Sequence, residues 1–145
     1  MEKACCGFGH RDIFENIDKE LDEAICYAIE QGCSIFYTGA MGEFDYKFSL
    51  AVNRQKKLST HIKLFCVKPY LTSDINKFPE RYELYDEVFI PSGFENCHYK
   101  QIITKRNKWI IDNSDIAIFY VTRSFGGAFE ALKYAKKNNK NIKML

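Results

Sequence analysis

The chain has 145 residues, 21 basic and 19 acidic side chains and a formal charge of +2, which is the size of one domain and leaves no overall cationic excess. That balance argues against nucleic acid as the expected partner. Residues 116–121, the longest clean apolar run, are too few to cross a bilayer, and residues 1–6 lack the apolar core of a signal peptide, so a cytoplasmic protein with no membrane partner is expected.

Residues 3–6 read as a first strand. Phe14, Ile17, Leu21, Ala24, Ile25, Ala28 and Ile29 then recur at helical spacing, and Gly32 ends that helix. Residues 33–38 form an apolar, aromatic strand, and Phe44, Phe48, Ala51 and Val52 mark a helix running to about Lys57. A third strand is predicted over 63–67. The polar stretch 69–81, with its two prolines, reads as a loop or short helix at the mouth of a site. Strands over 87–90, 115–121 and 142–145 alternate with helices over 99–112 and 128–138. Strands separated by helices of this length imply right-handed crossovers and a Rossmann-like α/β/α sandwich around a mainly parallel sheet, in one domain over 1–145.

Six cysteines (Cys5, Cys6, Cys26, Cys33, Cys66, Cys97) form no C-x-x-C pair, and several lie inside apolar runs, which predicts free thiols. Cys5, Cys6, His10, Cys97 and His98 match no standard zinc spacing, so neither a metal nor another cofactor is expected. The 12 Phe and 9 Tyr suit either a core or a homodimer interface.

Three glycine-bearing loops follow apolar runs: Gly7-Phe8-Gly9-His10-Arg11, Thr38-Gly39-Ala40-Met41-Gly42-Glu43-Phe44-Asp45 and Ser124-Phe125-Gly126-Gly127-Ala128-Phe129-Glu130. Glycine lets backbone N–H groups approach an anion at a helix start, and in an open parallel sheet such turns gather at the carboxyl edge. One site for a nucleotide or a phosphorylated metabolite is the expectation. Its expected ligand-binding residues are Gly7, Gly9, His10, Arg11, Thr38, Gly39, Gly42, Asp45, Arg106, Asn107, Gly126, Gly127, Ala128 and Glu130.

Arg106 falls on the apolar stripe of Ile102, Ile103 and Ile110, so its guanidinium points inward and needs an anion: a ligand phosphate, or a carboxylate such as Asp45 or Glu130. Asn107 would bridge ligand and loop. Asp45 shares the stripe of Phe48 and Val52, where it either answers the helix dipole or binds a ribose hydroxyl or Arg106. Glu130 has the same choice between dipole and ligand, with a general acid/base role besides. His10 and Arg11 would place positive charge near a phosphate.

These loops, together with Arg106-Asn107, resemble the SLOG superfamily, the Rossmann-like group that includes the Lonely Guy phosphoribohydrolases and the DprA/Smf proteins, and above all its YpsA-like branch. The resemblance spans nearly the whole chain and implies loops that bind nucleotide-derived ligands. In the Lonely Guy branch an arginine, at the place of Arg106, and a glutamate support cleavage of an N-glycosidic bond. That branch carries P-G-G-x-G-T-x-x-E, whereas Gly127-Ala128-Phe129-Glu130-Ala131 has alanine at the threonine and at the last glutamate. Glu130 is displaced by one residue, a turn of about 100° on a helix. The sequence therefore favours a binding domain for a nucleoside phosphate or an ADP-ribose-like compound. A phosphoribohydrolase using Arg106, Glu130 and Asp45 is the alternative, and DprA-like single-stranded DNA binding a further one.

Overall fold

Side chains alternate across a strand, and that alternation sorts the apolar residues into two layers. In β1 (Lys3–Gly9), β2 (Cys33–Thr38) and β5 (Ile116–Tyr120), Cys5, Phe36, Ile116 and Ile118 enter one core, while Cys6, Ala117 and Phe119 enter the other. The computed structural model describes residues 2–77 and 79–145. With β3 (Lys63–Val67), β4 (Glu87–Phe89) and β6 (Asn141–Met144), these strands form one sheet in the order β4-β3-β2-β1-β5-β6, and every pairing is parallel.

Helices α1 (Asp18–Glu30) and α2 (Glu43–Lys56) cover the first face with Leu21, Ile25, Phe44, Phe48 and Val52. A four-residue helix, α3 (Asp74–Lys77), and a 3-10 turn (Pro79–Tyr82) follow β3, with Phe78 between them outside the described residues. The second face is covered by α4 (Ile102–Asp112) and α5 (Gly127–Lys137) through Ile110, Ile111, Leu132 and Ala135. Phe36, Phe44, Phe48 and Phe119 are fully buried. Each contributes about 1.5–3 kcal/mol of apolar burial.

Two departures from the sequence reading matter for the site. The first strand continues past residue 6 to Gly9, because Gly7 and Gly9 are sheet positions pressed against α2. A Cβ on Gly7 would lie 2.5 Å from the Phe48 ring, and one on Gly9 would lie closer still to Phe44. The first helix starts only at Asp18, so Phe14 is not on its stripe and is 97% exposed. Asn16 accepts the Asp18 N–H at 2.9 Å, a local bond that holds residues before 18 out of the helix while Ile13 and Ile17 still turn inward.

No disulfide joins the six cysteines, and Cys5, Cys6, Cys33 and Cys66 are buried in strands. Burial pushes the Cys6 thiol up to about 12 and the Cys33 thiol up to about 11. Among the described residues no His, Cys, Asp and Glu cluster is placed to hold a metal ion, and no helix is long and apolar enough to cross a membrane.

The packing role of the first two glycines has a measurable consequence. Gly9→Ala is expected to cost about 1–3 kcal/mol in urea unfolding, as overpacking does. Gly127→Ala, where a Cβ meets nothing within 4 Å, is expected to be neutral or slightly stabilising. Equal effects of the two substitutions would contradict this account.

Candidate functional site

The strand order reverses between β1 and β5: the chain proceeds outward from β1 to β4, then returns to β5 on the other side of β1. The helices leaving these two strands lie on opposite faces, which opens a crevice beyond their carboxyl ends. His10, directly after β1, closes the floor of that crevice. It is 5% exposed, and its Nε2 accepts the Thr122 N–H at 2.8 Å. Burial, and secondly Arg123, hold its pKa below the usual histidine value. Because Nε2 accepts, the ring is neutral, with its proton on Nδ1.

The first and second glycine loops lock together. At the start of α2, Glu43 N–H donates to the Arg11 carbonyl at 2.8 Å, and the Glu43 carboxylate accepts the Ile13 N–H at 3.2 Å. Gly42 has φ +135°, and a Cβ there would stand 2.9 Å from the Arg11 Cα. Asp45 accepts the Met41 N–H at 2.7 Å. The first N–H of α2 is therefore engaged by the protein itself. By contrast, the N–H groups of Gly127 and Ala128, in the first turn of α5, have no protein acceptor among the described residues. Gly126, with φ +97°, turns the chain into that helix.

Arg106 crosses from α4 to the second loop and is 2% exposed. Its Nη1 donates to the carbonyls of Gly39 at 3.2 Å and Val67 at 3.0 Å, its Nε to Asn107 Oδ1 at 2.8 Å, and its Nη2 to the Met41 thioether at 2.8 Å. None of these acceptors carries charge, and among the described residues the guanidinium forms no ion pair. A thioether is a weak acceptor, so Nη2 is the least satisfied arm. Burial lowers the Arg106 pKa, and Asp45 is the leading group that opposes the shift. Burial likewise raises Asp45 to about 6, against the Met41 N–H, Arg106 and Arg11, which lower it.

A cavity of about 210 Å³ joins these groups. Of the residues singled out in the sequence, Gly9, His10, Arg11, Gly39, Asp45, Arg106, Asn107, Gly127 and Ala128 line it. Gly7 lies inside β1, Thr38 is fully buried under the second loop, and Gly42 and Gly126 shape turns behind the wall. Glu130 lies outside the cavity, in the neighbouring α4–α5 groove, exposed and 3.6 Å from Lys133. Arg123 and Met41 also line the cavity and were not singled out in the sequence. Arg123 immediately precedes the third glycine loop, and a cation at that position was the available signal. Three guanidiniums thus surround a small cavity that holds one carboxylate, with an open helix start opposite. The arrangement is suited to an anion.

No family model matches the chain, and no curated protein matches it. Among solved structures it is similar to DNA processing protein A from Streptococcus pneumoniae, with a TM-score of 0.71 and 16% identity, over 99% of this chain and 50% of that one. The fold is Rossmann-like, of the DNA processing protein A type. It is also similar to DNA processing protein A from Helicobacter pylori, with a TM-score of 0.66 and 13% identity, over 98% of this chain and 64% of that one. The second structure is described as showing a single-stranded DNA binding mode. The chain thus spans about half to two thirds of the length of these two neighbours. The similarity corrects one sequence expectation: near-neutral net charge does not set nucleic acid aside. A formal charge of +2 averages over the whole surface, whereas Arg11, Arg106 and Arg123 converge on one cavity.

Asp45 gives this site a pH signature. Its carboxyl titrates near 6 in the folded chain against an ordinary value of 3.8, so the folded state holds the proton more tightly and stability falls as pH rises from about 4 to about 6. Asp45→Asn keeps an acceptor for the Met41 N–H and removes that charge. The variant is expected to be more stable than the parent by about 1–3 kcal/mol at neutral pH, and the gain is expected to vanish near pH 4. Urea unfolding at the two pH values measures both.

Proposed function

We propose that this domain is a binding module for the phosphate of a nucleotide unit, and that single-stranded DNA supplies that unit. The observation that carries the reading is the buried Arg106 guanidinium, which forms no ion pair among the described residues and lines one cavity together with the open first turn of α5, Arg11 and Arg123. A phosphate oxygen there would give Nη2 a charged acceptor and take the free N–H groups of Gly127 and Ala128. The Nδ1–H of His10 is a further donor for it. Single-stranded DNA as the source is supported by the fold shared with the two DNA processing proteins and by the description of one of them.

A free nucleotide-derived small molecule is the second reading, and the size of the site favours it. A cavity of about 210 Å³ admits a phosphate and part of a sugar rather than several linked nucleotides. Binding without cleavage fits both readings. Glu130 pairs with Lys133 beyond the wall, and Asp45 is occupied by the Met41 N–H and the neighbouring arginines.

Fluorescence anisotropy of labelled oligothymidylate against salt concentration tests the first reading. Affinity is expected to fall with salt, with a log–log slope of about −0.7 per phosphate engaged. Gly127→Asp is expected to abolish binding without changing the melting temperature, and Arg106→Lys to weaken it about tenfold or more, because an ammonium cannot reproduce the fork. Tight binding of AMP or ADP-ribose by calorimetry, lost in the same variants, with no binding of oligothymidylate, would replace the first reading by the second. Absence of both would remove the phosphate site.

Catalysis has its own test. AMP, GMP and CMP incubated with the purified protein are expected to release no free base by chromatography, since loss of a positioned acid or base removes about 10²–10⁴ in rate. Excess free base abolished by Glu130→Gln or Asp45→Asn would make the protein a hydrolase.

A further inference from the structure

On the same face of the sheet, α4 and α5 bound a groove of about 610 Å³, roughly three times the volume of the phosphate cavity. Its floor is aliphatic, built from Ile103, Ile111 and Ala131, with Tyr134 at one side. Ile103 is 37% exposed although it neighbours buried Ile102 on α4. Lys108, Lys133, Lys136 and Lys137 stand around this floor. The one carboxylate in the lining, Glu130, is paired with Lys133, so the rim keeps a net positive charge.

We propose that this groove docks an acidic amphipathic segment of a partner protein, with apolar anchors on the floor and carboxylates on the lysine rim. Charge complementarity selects the occupant. A second copy of the chain seated by the same face would bring lysines against lysines. A nucleic acid strand would satisfy the rim but needs open ring faces on which to stack its bases. Tyr134, the ring that lines this groove, already carries a cation: the Lys108 ammonium lies 5.3 Å from its centroid. An aliphatic trough between two helices, edged by one sign of charge, is what an amphipathic helix with apolar residues at i, i+3, i+4 and i+7 fills. The proposal does not depend on the phosphate reading. The two sites nevertheless share Ile103, Asn107 and Gly127 as a common wall, so a partner in the groove would touch the open first turn of α5.

Selection of random peptides displayed on phage against the folded protein, followed by anisotropy of the enriched sequences as labelled synthetic peptides, tests it. Peptides with apolar residues at helical spacing and Asp or Glu between them are expected. Their affinity is expected to fall about tenfold or more in the double variant Lys136→Glu, Lys137→Glu and in Ile103→Asp, and to decline with salt. All three positions are exposed, and thermal melting verifies that the variants remain folded. Arg123→Ala, at a residue that lines the phosphate cavity and not the groove, is expected to leave peptide affinity unchanged, so failure of that site and failure of this one are distinguishable. Enrichment of neutral or basic peptides, no enrichment at all, or binding that survives the charge reversal overturns the proposal. Oligothymidylate binding that is lost on Lys136→Glu, Lys137→Glu while peptide binding persists would assign the groove to nucleic acid and overturn it as well.

Discussion

A buried guanidinium that forms no ion pair among the described residues is the constraint around which this site is arranged. Removing a positive charge from water costs several kcal/mol unless fixed dipoles replace the lost hydration. Arg106 obtains them from the end of β3, through the Val67 carbonyl, and from the second glycine loop, through the carbonyl of Gly39 and the thioether of Met41. This explains the glycine at position 39, where a Cβ would lie 2.8 Å from the guanidinium carbon. It also explains why the loop that follows is so firmly fixed. Asp45 tethers Met41, and the Arg11 carbonyl caps α2, so the acceptors of Arg106 hold their places before any ligand arrives.

The three glycine loops consequently do different work. The first makes room for Phe44 and Phe48, the second for Arg106 and the Arg11 backbone, whereas in the third a Cβ on Gly127 would meet nothing within 4 Å. At the third, the N–H groups of Gly127 and Ala128 have no acceptor among the described residues. Asp45 next to the arginines tempers the positive field of the cavity, and its carboxyl titrates within reach of ordinary cellular pH.

Much of this architecture can be read from the order of residues. The helix with Phe44, Phe48 and Val52, the strand over 63–67 and the last helix all lie within one or two residues of where periodicity puts them. Arg106 was conspicuous because a charged residue in an apolar stripe has few physical explanations. Other features depend on partners distant in the chain. A glycine after an apolar run has the same signature whether it admits a phosphate or a phenyl ring, and Gly7 and Gly9 admit rings from α2. Phe14 has helical spacing from Ile17, yet the Asn16 side chain diverts the backbone before the helix can include it. The direction in which Glu130 leaves α5 is a matter of rotation about the helix axis, and composition says nothing of it. Net charge misled for a related reason: a sum carries no position.

The thiols buried in the strands have a consequence for the chemistry the molecule tolerates. Oxidants and alkylating agents attack thiolate, and they need a path to it. Cys5 and Cys6, at the centre of the sheet, offer neither, because they are wholly enclosed and their burial holds them protonated far above neutral pH. Cys33 and Cys66 are enclosed in the neighbouring strands, which leaves Cys26 and Cys97 as the partly accessible thiols. The sheet therefore withstands an oxidising burst as long as it stays closed: Cys26 and Cys97 react first, and the four strand sulfurs only as the fold opens.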